Sequence, residues 1–218
     1  MIAIVDYGVG NLRSAAKGLE RAAADARSPV EVRVTSEARD IERADAVVLP
    51  GVGAFGACMS SLHASGMTDA VVRAARSERP FLGICVGMQI LFEESSEFGP
   101  VEGLGILPGK VVRFRGRDLK IPHMGWNELR IRRREGPLAA IPDGTFVYFV
   151  HSYYAEPSDP THLAATTCYG DEEFAAAVAR GNLFATQFHP EKSQAAGLRL
   201  LASFVRAAAR PVQVAVPA

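Results

Sequence analysis

The 218-residue chain is 48% hydrophobic and carries 24 basic and 24 acidic side chains, which suits one sizeable core and excludes both a charge-driven disordered segment and a general polyanion binder. Its three cysteines, Cys58, Cys85 and Cys168, lack C-x-x-C spacing and cannot all pair, and its five histidines lack metal-ligand spacing. Neither a cofactor nor a metal is expected, and free thiols suit a reducing compartment.

Met1 to Val5 has no basic leader region and its apolar run is short, and no later stretch reaches membrane-spanning length. A cytoplasmic protein is therefore expected, with no membrane and no nucleic acid among its partners. Ile2 to Val5 reads as a buried parallel strand that ends at Asp6-Tyr7-Gly8-Val9-Gly10-Asn11. Asn11 is placed to cap a helix carrying Leu12, Ala15, Ala16 and Leu19 on one face. Gly8 and Gly10 begin a dinucleotide fingerprint, but Arg13 stands where its third glycine belongs.

Val30 to Val34 and Ala46 to Leu49 give two further strands, with helical patterns between strands. Such βα alternation predicts an α/β fold, an open mostly parallel sheet flanked by helices with ligands beyond the carboxyl ends of its strands. The third strand runs into Pro50-Gly51-Val52-Gly53-Ala54-Phe55-Gly56. Glycines there let backbone amides face an anion, although taken by itself the loop reads first as a plain structural turn and no G-K-[ST] follows. Helical patterns at Ala57 to Leu62 and Met67 to Arg76 lead to the next strand.

Phe81 to Ile84 reads as that strand and Met88 to Glu93 as the helix leaving it, with Gly83-Ile84-Cys85-Val86-Gly87 between. This is the G-x-nucleophile-x-G spacing of a nucleophile elbow with a thiol in the central place. Small neighbours permit a sharp, strained turn, and a following helix favours the reactive thiolate. A buried core cysteine is the competing reading of Cys85.

The second half turns β-rich at Lys110 to Phe114, Trp126 to Ile131, Thr145 to Val150, Leu163 to Cys168 and Phe174 to Val178. These segments are expected to extend the sheet with additional antiparallel strands or to build a smaller sheet against it. Arg113, Arg115 and Arg117 and the stretch Arg130-Ile131-Arg132-Arg133-Arg134 read as a solvated or partner-facing surface. Leu183 to Phe188 predicts a last strand that delivers His189-Pro190-Glu191-Lys192-Ser193 to its end, and Ala195 to Ala209 a closing helix. One domain over residues 1–210 and a frayed tail over 211–218 are expected. A cysteine nucleophile needs an imidazole to move its proton and a third group to orient that ring, and His189 and Glu191 supply both types.

Gly83 to Gln89 with the distant His189-Pro190-Glu191 resembles the class I, triad-type glutamine amidotransferases. Tyr7 to Asn11, Pro50 to Gly56, Pro122-His123-Met124-Gly125-Trp126-Asn127, His151-Ser152-Tyr153-Tyr154 and Gln187 to Ser193 bring the likeness closer to one branch, the glutaminase subunits of imidazole glycerol phosphate synthase. Val86 departs from that branch, which more commonly has leucine there.

The resemblance implies that Cys85 attacks the glutamine amide to form a thioester, with His189 as acid and base and Glu191 orienting it. It implies oxyanion donors at the N–H groups of Val52 and Val86, and glutamine contacts from Gly51, Gly53, Gly87, Gln89, His151, Ser152 and Tyr153. It further implies a heterodimer with a (β/α)8-barrel cyclase that uses the ammonia in histidine biosynthesis, contacted through Asn11, Trp126 and Lys192. An unrelated cysteine hydrolase and a non-catalytic binding module are the alternatives that the residues alone leave open.

Overall fold

The computed structural model describes residues 1–116 and 119–209. Arg117 and the C-terminal tail expected over 211–218 lie outside the described residues. The first half is built from β1 (Ile2–Val5), α1 (Leu12–Asp25), β2 (Val32–Thr35), α2 (Ala38–Arg43), β3 (Ala46–Gly51), α3 (Phe55–Ala64), α4 (Thr68–Ala75) and β4 (Phe81–Cys85). A single helical turn, α5 (Val86–Gln89), leaves β4, and the short strands β5 (Glu94–Ser95) and β6 (Val101–Glu102) follow. The helix expected from Met88 to Glu93 therefore starts two residues earlier, at Val86, and already ends at Gln89.

The second half contributes β7 (Gly109–Arg113), β8 (His123–Glu128), β9 (Arg130–Ile131), β10 (Phe146–His151), β11 (Tyr153–Pro157), β12 (Leu163–Tyr169), β13 (Glu172–Arg180), β14 (Leu183–Thr186) and the closing α6 (Gln194–Ala208). No helix among the described residues is long and apolar enough to cross a membrane.

The main sheet runs β2-β1-β3-β4-β14-β13-β12-β9, with the first five strands parallel and the last three antiparallel. Every residue of β1, β3, β4 and β14 is buried, as continuous apolar runs covered on both faces must be. The edge strand β2 instead exposes Arg33, a charge that discourages pairing with another chain. Winding reverses between β1 and β3, and α1 packs on α6 while α2 packs on α4. Both outcomes expected for the β-rich half occur. Strands β13, β12 and β9 extend the main sheet, whereas β10-β8 and β11-β7-β5-β6 form two smaller sheets.

The strand expected from Trp126 to Ile131 is divided at Leu129, whose N–H donates to Thr145 O while its carbonyl accepts from Gly144 N–H. This buried residue turns the chain from the β8–β10 pair into the main sheet. The basic stretches are surface ion pairs for the most part, Arg115 with Glu156, Arg132 with Glu173 and Arg133 with Glu135, of the kind that adds little stability.

Arg79 has a more structural task. Its guanidinium donates to the carbonyls of Ile41, Glu42 and Ala44 at 3.1, 2.8 and 2.8 Å, satisfying the end of α2 from the loop before β4. Arg79→Met should accordingly lower the unfolding free energy by about 1.5–3 kcal/mol, measured by urea denaturation.

Candidate active site

Strands β3, β4 and β14 end side by side, and the chain segments leaving them converge on one pocket. Its volume is about 310 Å³, and its wall includes Val52, Gly53, Cys85, Val86, Gln89, Glu97, His151, Ser152, Tyr153, His189 and Lys192. Cys85 occupies the turn between β4 and α5 with φ 56° and ψ −113°, a backbone conformation that L-residues rarely hold outside functional turns. Packing enforces it. A Cβ on Gly87 would stand 1.9 Å from the Leu49 carbonyl oxygen, so only glycine lets the elbow seat against β3.

Gly51 meets the same turn from the other side, its hypothetical Cβ lying 2.5 Å from Gly87 N. Neither glycine is on the pocket wall. Both lie behind it, where backbone packs on backbone. Gly53 does reach the wall, and its φ of +90° demands glycine. The loop is held on both sides of the Gly51–Val52 peptide, by Tyr7 Oη donating to Pro50 O at 2.7 Å and by the buried Cys58 thiol on Val52 O at 3.4 Å.

His189 follows β14 and is fixed through its backbone. Its N–H donates to Tyr148 O at 2.9 Å, and Ser193 Oγ donates to His189 O at 2.7 Å while accepting from Tyr148 N at 3.0 Å. Pro190 opens a 3₁₀ turn, Pro190–Lys192, that brings Glu191 back beneath the ring. Glu191 Oε1 lies 2.8 Å from His189 Nδ1, both side chains 3% exposed. Nδ1 is thus the protonated position, which turns Nε2 away from the carboxylate.

Burial alone would lower the His189 pKa, but hydrogen bonding and charge from Cys85 and Glu191 outweigh it and raise the imidazole to about 9. Nε2 itself has no well-directed hydrogen bond among the described residues and is available to a reacting group.

His151 is the opposite case on the same wall. Burial drives its pKa down to about 3, so it is neutral, donating from Nδ1 to Tyr153 O at 2.9 Å and accepting at Nε2 from His123 Nδ1 at 3.2 Å. His123, also held neutral by burial at a pKa of about 4, accepts at Nε2 from Asn127 Nδ2 at 3.3 Å.

Of the residues expected at a partner surface, Trp126 and Lys192 meet at Tyr148. The Trp126 ring is edge-on to Tyr148 at 6.1 Å, and Lys192 Nζ lies 5.9 Å from the same ring. Asn11 accepts from Ser14 N–H at 3.4 Å as the cap of α1 and lines a small void shared with His189 and Glu191.

The sequence reading missed Glu97. It stands in a loop with no motif of its own, and only the fold brings it to the wall, where Phe55 N–H donates to its Oε2 at 2.6 Å. Gln187 reads in the sequence only as part of the histidine segment, with no role of its own.

A family model described as glutamine amidotransferase class-I matches residues 3–208. The imidazole glycerol phosphate synthase subunit HisH of Methylococcus capsulatus is 54% identical, the match covering 94% of this chain and 95% of the relative. The subunit of that name from Geobacter metallireducens is 51% identical over 93% of this chain and 96% of its own. Among solved structures, a crystal structure of glutamine amidotransferase matches with a TM-score of 0.71 at 20% identity, covering 95% of this chain and 99% of that one. A glutamine amidotransferase from Thermotoga maritima matches with a TM-score of 0.60 at 18% identity, covering 87% and 75%. These two structures support the fold alone.

The raised pKa of His189 makes a pH-dependent contribution to stability whose sign follows from linkage. The imidazolium is worth its full amount below the ordinary value of 6.5 and loses it as pH rises through about 9. Urea unfolding from pH 6 to 10 should show the parent's advantage over His189→Gln shrinking across that window. An advantage that grows with pH would contradict the assigned charge state.

Proposed function

The chain belongs to the class-I glutamine amidotransferases, and within them to the HisH subunits of imidazole glycerol phosphate synthase; from that premise we propose that Cys85, His189 and Glu191 carry out its chemistry. The chain is a glutaminase subunit that supplies ammonia for imidazole glycerol phosphate synthesis in histidine biosynthesis. The observation that carries the assignment of residues is the meeting, on one pocket, of a cysteine on a positive-φ elbow with a histidine already paired to a buried carboxylate.

The Cys85 thiolate attacks the glutamine carboxamide carbon, and the carbonyl oxygen becomes an oxyanion. The N–H groups of Val86 and Val52 stabilise that oxyanion. His189 gives a proton to the departing nitrogen, releasing ammonia and leaving a glutamyl thioester. The neutral imidazole then takes a proton from water, the hydroxide displaces the sulfur, and glutamate leaves with the thiolate restored. Glu191 holds the Nδ1–H tautomer and stabilises the imidazolium.

Gln89, His151, Ser152, Tyr153 and Gly53 bound the amino acid, while Gly51 and Gly87 act by shaping the turn behind them. Glu97 is the one carboxylate on the wall among the described residues and matches the α-ammonium of the substrate. Residues 1–210 act as a single amidotransferase domain, and its free thiols suit the reducing cytoplasm.

The ammonia is used by a cyclase subunit of (β/α)8-barrel fold. An exposed apolar face supports this partner's docking site: Met124 and Trp126 on β8 and Phe146 on β10 are 62%, 45% and 56% exposed. Trp126 and Lys192 belong to that face, and Asn11 to its edge beside the catalytic void.

Cys85→Ser should abolish glutamine-dependent synthesis by the two-subunit complex and leave synthesis from added ammonium salts intact. Loss of both activities together would make Cys85 structural. Val52, flanked by Gly51 and Gly53, generates a second expectation, because glycines on both sides permit its peptide two orientations. The isolated subunit should hydrolyse glutamine slowly, and partner with its ligand should raise kcat by up to about a hundredfold to a thousandfold, the worth of one oxyanion donor. Equal kcat for subunit, complex and liganded complex in steady-state assays would reject this.

A further inference from the structure

Behind the pocket, three side chains and one carbonyl form a line of hydrogen bonds whose direction is fixed by chemistry. The Tyr153 carbonyl carries no proton, so the Gln89 group 2.8 Å from it is the NH2. The same Gln89 nitrogen stands 3.0 Å from Gln187, whose facing atom is therefore Oε1. Gln187 is left with its own NH2 turned to Cys85 Sγ, 3.8 Å away. Reversing either amide would set oxygen against oxygen or NH2 against NH2. His151 Nδ1–H donates to the same Tyr153 carbonyl and fixes it from the other side.

Gln187 is wholly buried, and it is absent from the pocket wall that Gln89 and Cys85 share. It meets the sulfur from the protein side and cannot be a glutamine contact.

We propose that Gln187 is a catalytic residue that donates a hydrogen bond to the Cys85 sulfur and stabilises its thiolate. A neutral thiol is a weak acceptor, whereas a hydrogen bond to an anion is about twice as strong as one between neutral groups. The donor therefore favours the ionised form selectively. The pre-set line from Tyr153 through Gln89 means that no reorientation of the amide is needed when the proton leaves. This deepens the glutaminase reading and rests on it for the step that the thiolate performs.

The test is the pH dependence of Cys85 alkylation by iodoacetamide, located by mass spectrometry, in the parent, Gln187→Met and Gln187→Glu. Gln187→Met keeps the shape without the donor. Its rate midpoint should move up by about one pH unit, a loss of about tenfold on the acidic limb. Gln187→Glu, which can still accept from Gln89 but sets a carboxylate oxygen beside the sulfur, should shift at least as far, and it decides the matter if Gln187→Met does not fold by circular dichroism.

Profiles of folded variants that superimpose on the parent overturn the proposal. So does a fall equal at all pH values, which reports access alone. The readout needs no glutamine. Failure of glutamine to protect the parent from alkylation would count against the glutaminase reading without touching the shift between variants.

Discussion

The candidate active site depends on one close approach of backbone to backbone. Gly87 lies so near the Leu49 carbonyl that no side chain fits between them, and this contact forces the chain to reverse within a residue of leaving β4. Cys85 takes up the resulting strain at φ 56°, a cost on the order of 1–3 kcal/mol that persists only because the surroundings over-determine it. They do so through β3, β4 and β14, whose every residue is buried and whose parallel register is fixed from Val47 and Phe81 to Gly51 and Cys85. The thiol stands at the strand end because the sheet leaves the turn no other course.

Once the elbow is fixed, the two histidines of the pocket are set apart by what faces them. Both are buried, and burial alone lowers an imidazole pKa. His189 has a carboxylate and a thiol as neighbours and is raised to about 9, while His151 has a carbonyl and a second neutral histidine and falls to about 3. One ring is therefore equipped to move protons and the other to donate one fixed hydrogen bond. Ser193 and Tyr148 keep the His189 ring in place through the backbone, so its position does not depend on the carboxylate alone.

Much of this was legible in the sequence because it is local. Short apolar runs betrayed β1, β3 and β4, Asn11 the start of α1, and the glycines around Cys85 the elbow. The misread parts are those in which distant segments decide the outcome. The run from Trp126 to Ile131 has a continuous strand-like composition, yet Leu129 is claimed by Thr145 and Gly144 and the strand splits. The helix after Cys85 stops at Gln89 because Leu104, Gly105, Ile106 and Leu107 take the carbonyls of Ile90, Phe92 and Leu91 as loop partners. Glu97 carries no periodic or motif signal that separates a site residue from a loop carboxylate, and Gln187, although it opens the histidine motif, reads as a strand-end amide with no role of its own. Their meaning appears only when Phe55 and Gln89 are seen to orient them.

The β8–β10 pair joins the two halves of the proposed function through the period of a strand. Alternate side chains face opposite ways, so Met124 and Trp126 with Phe146 and Tyr148 form the outer face, while His123 and His151, directly opposite each other in register, point into the core. A partner seated on the outer face therefore presses on the same backbone that holds the inner histidines. His151 is one residue from Ser152 and two from the Tyr153 carbonyl that orders Gln89 and Gln187. A displacement of β10 by the partner would move the pocket wall and the amide line to the sulfur together, with no separate relay between them. The proposed docking and catalytic roles are in this sense two faces of one two-stranded ribbon, and the hydrogen bond from His123 to His151 across its inner face limits how far either can change alone.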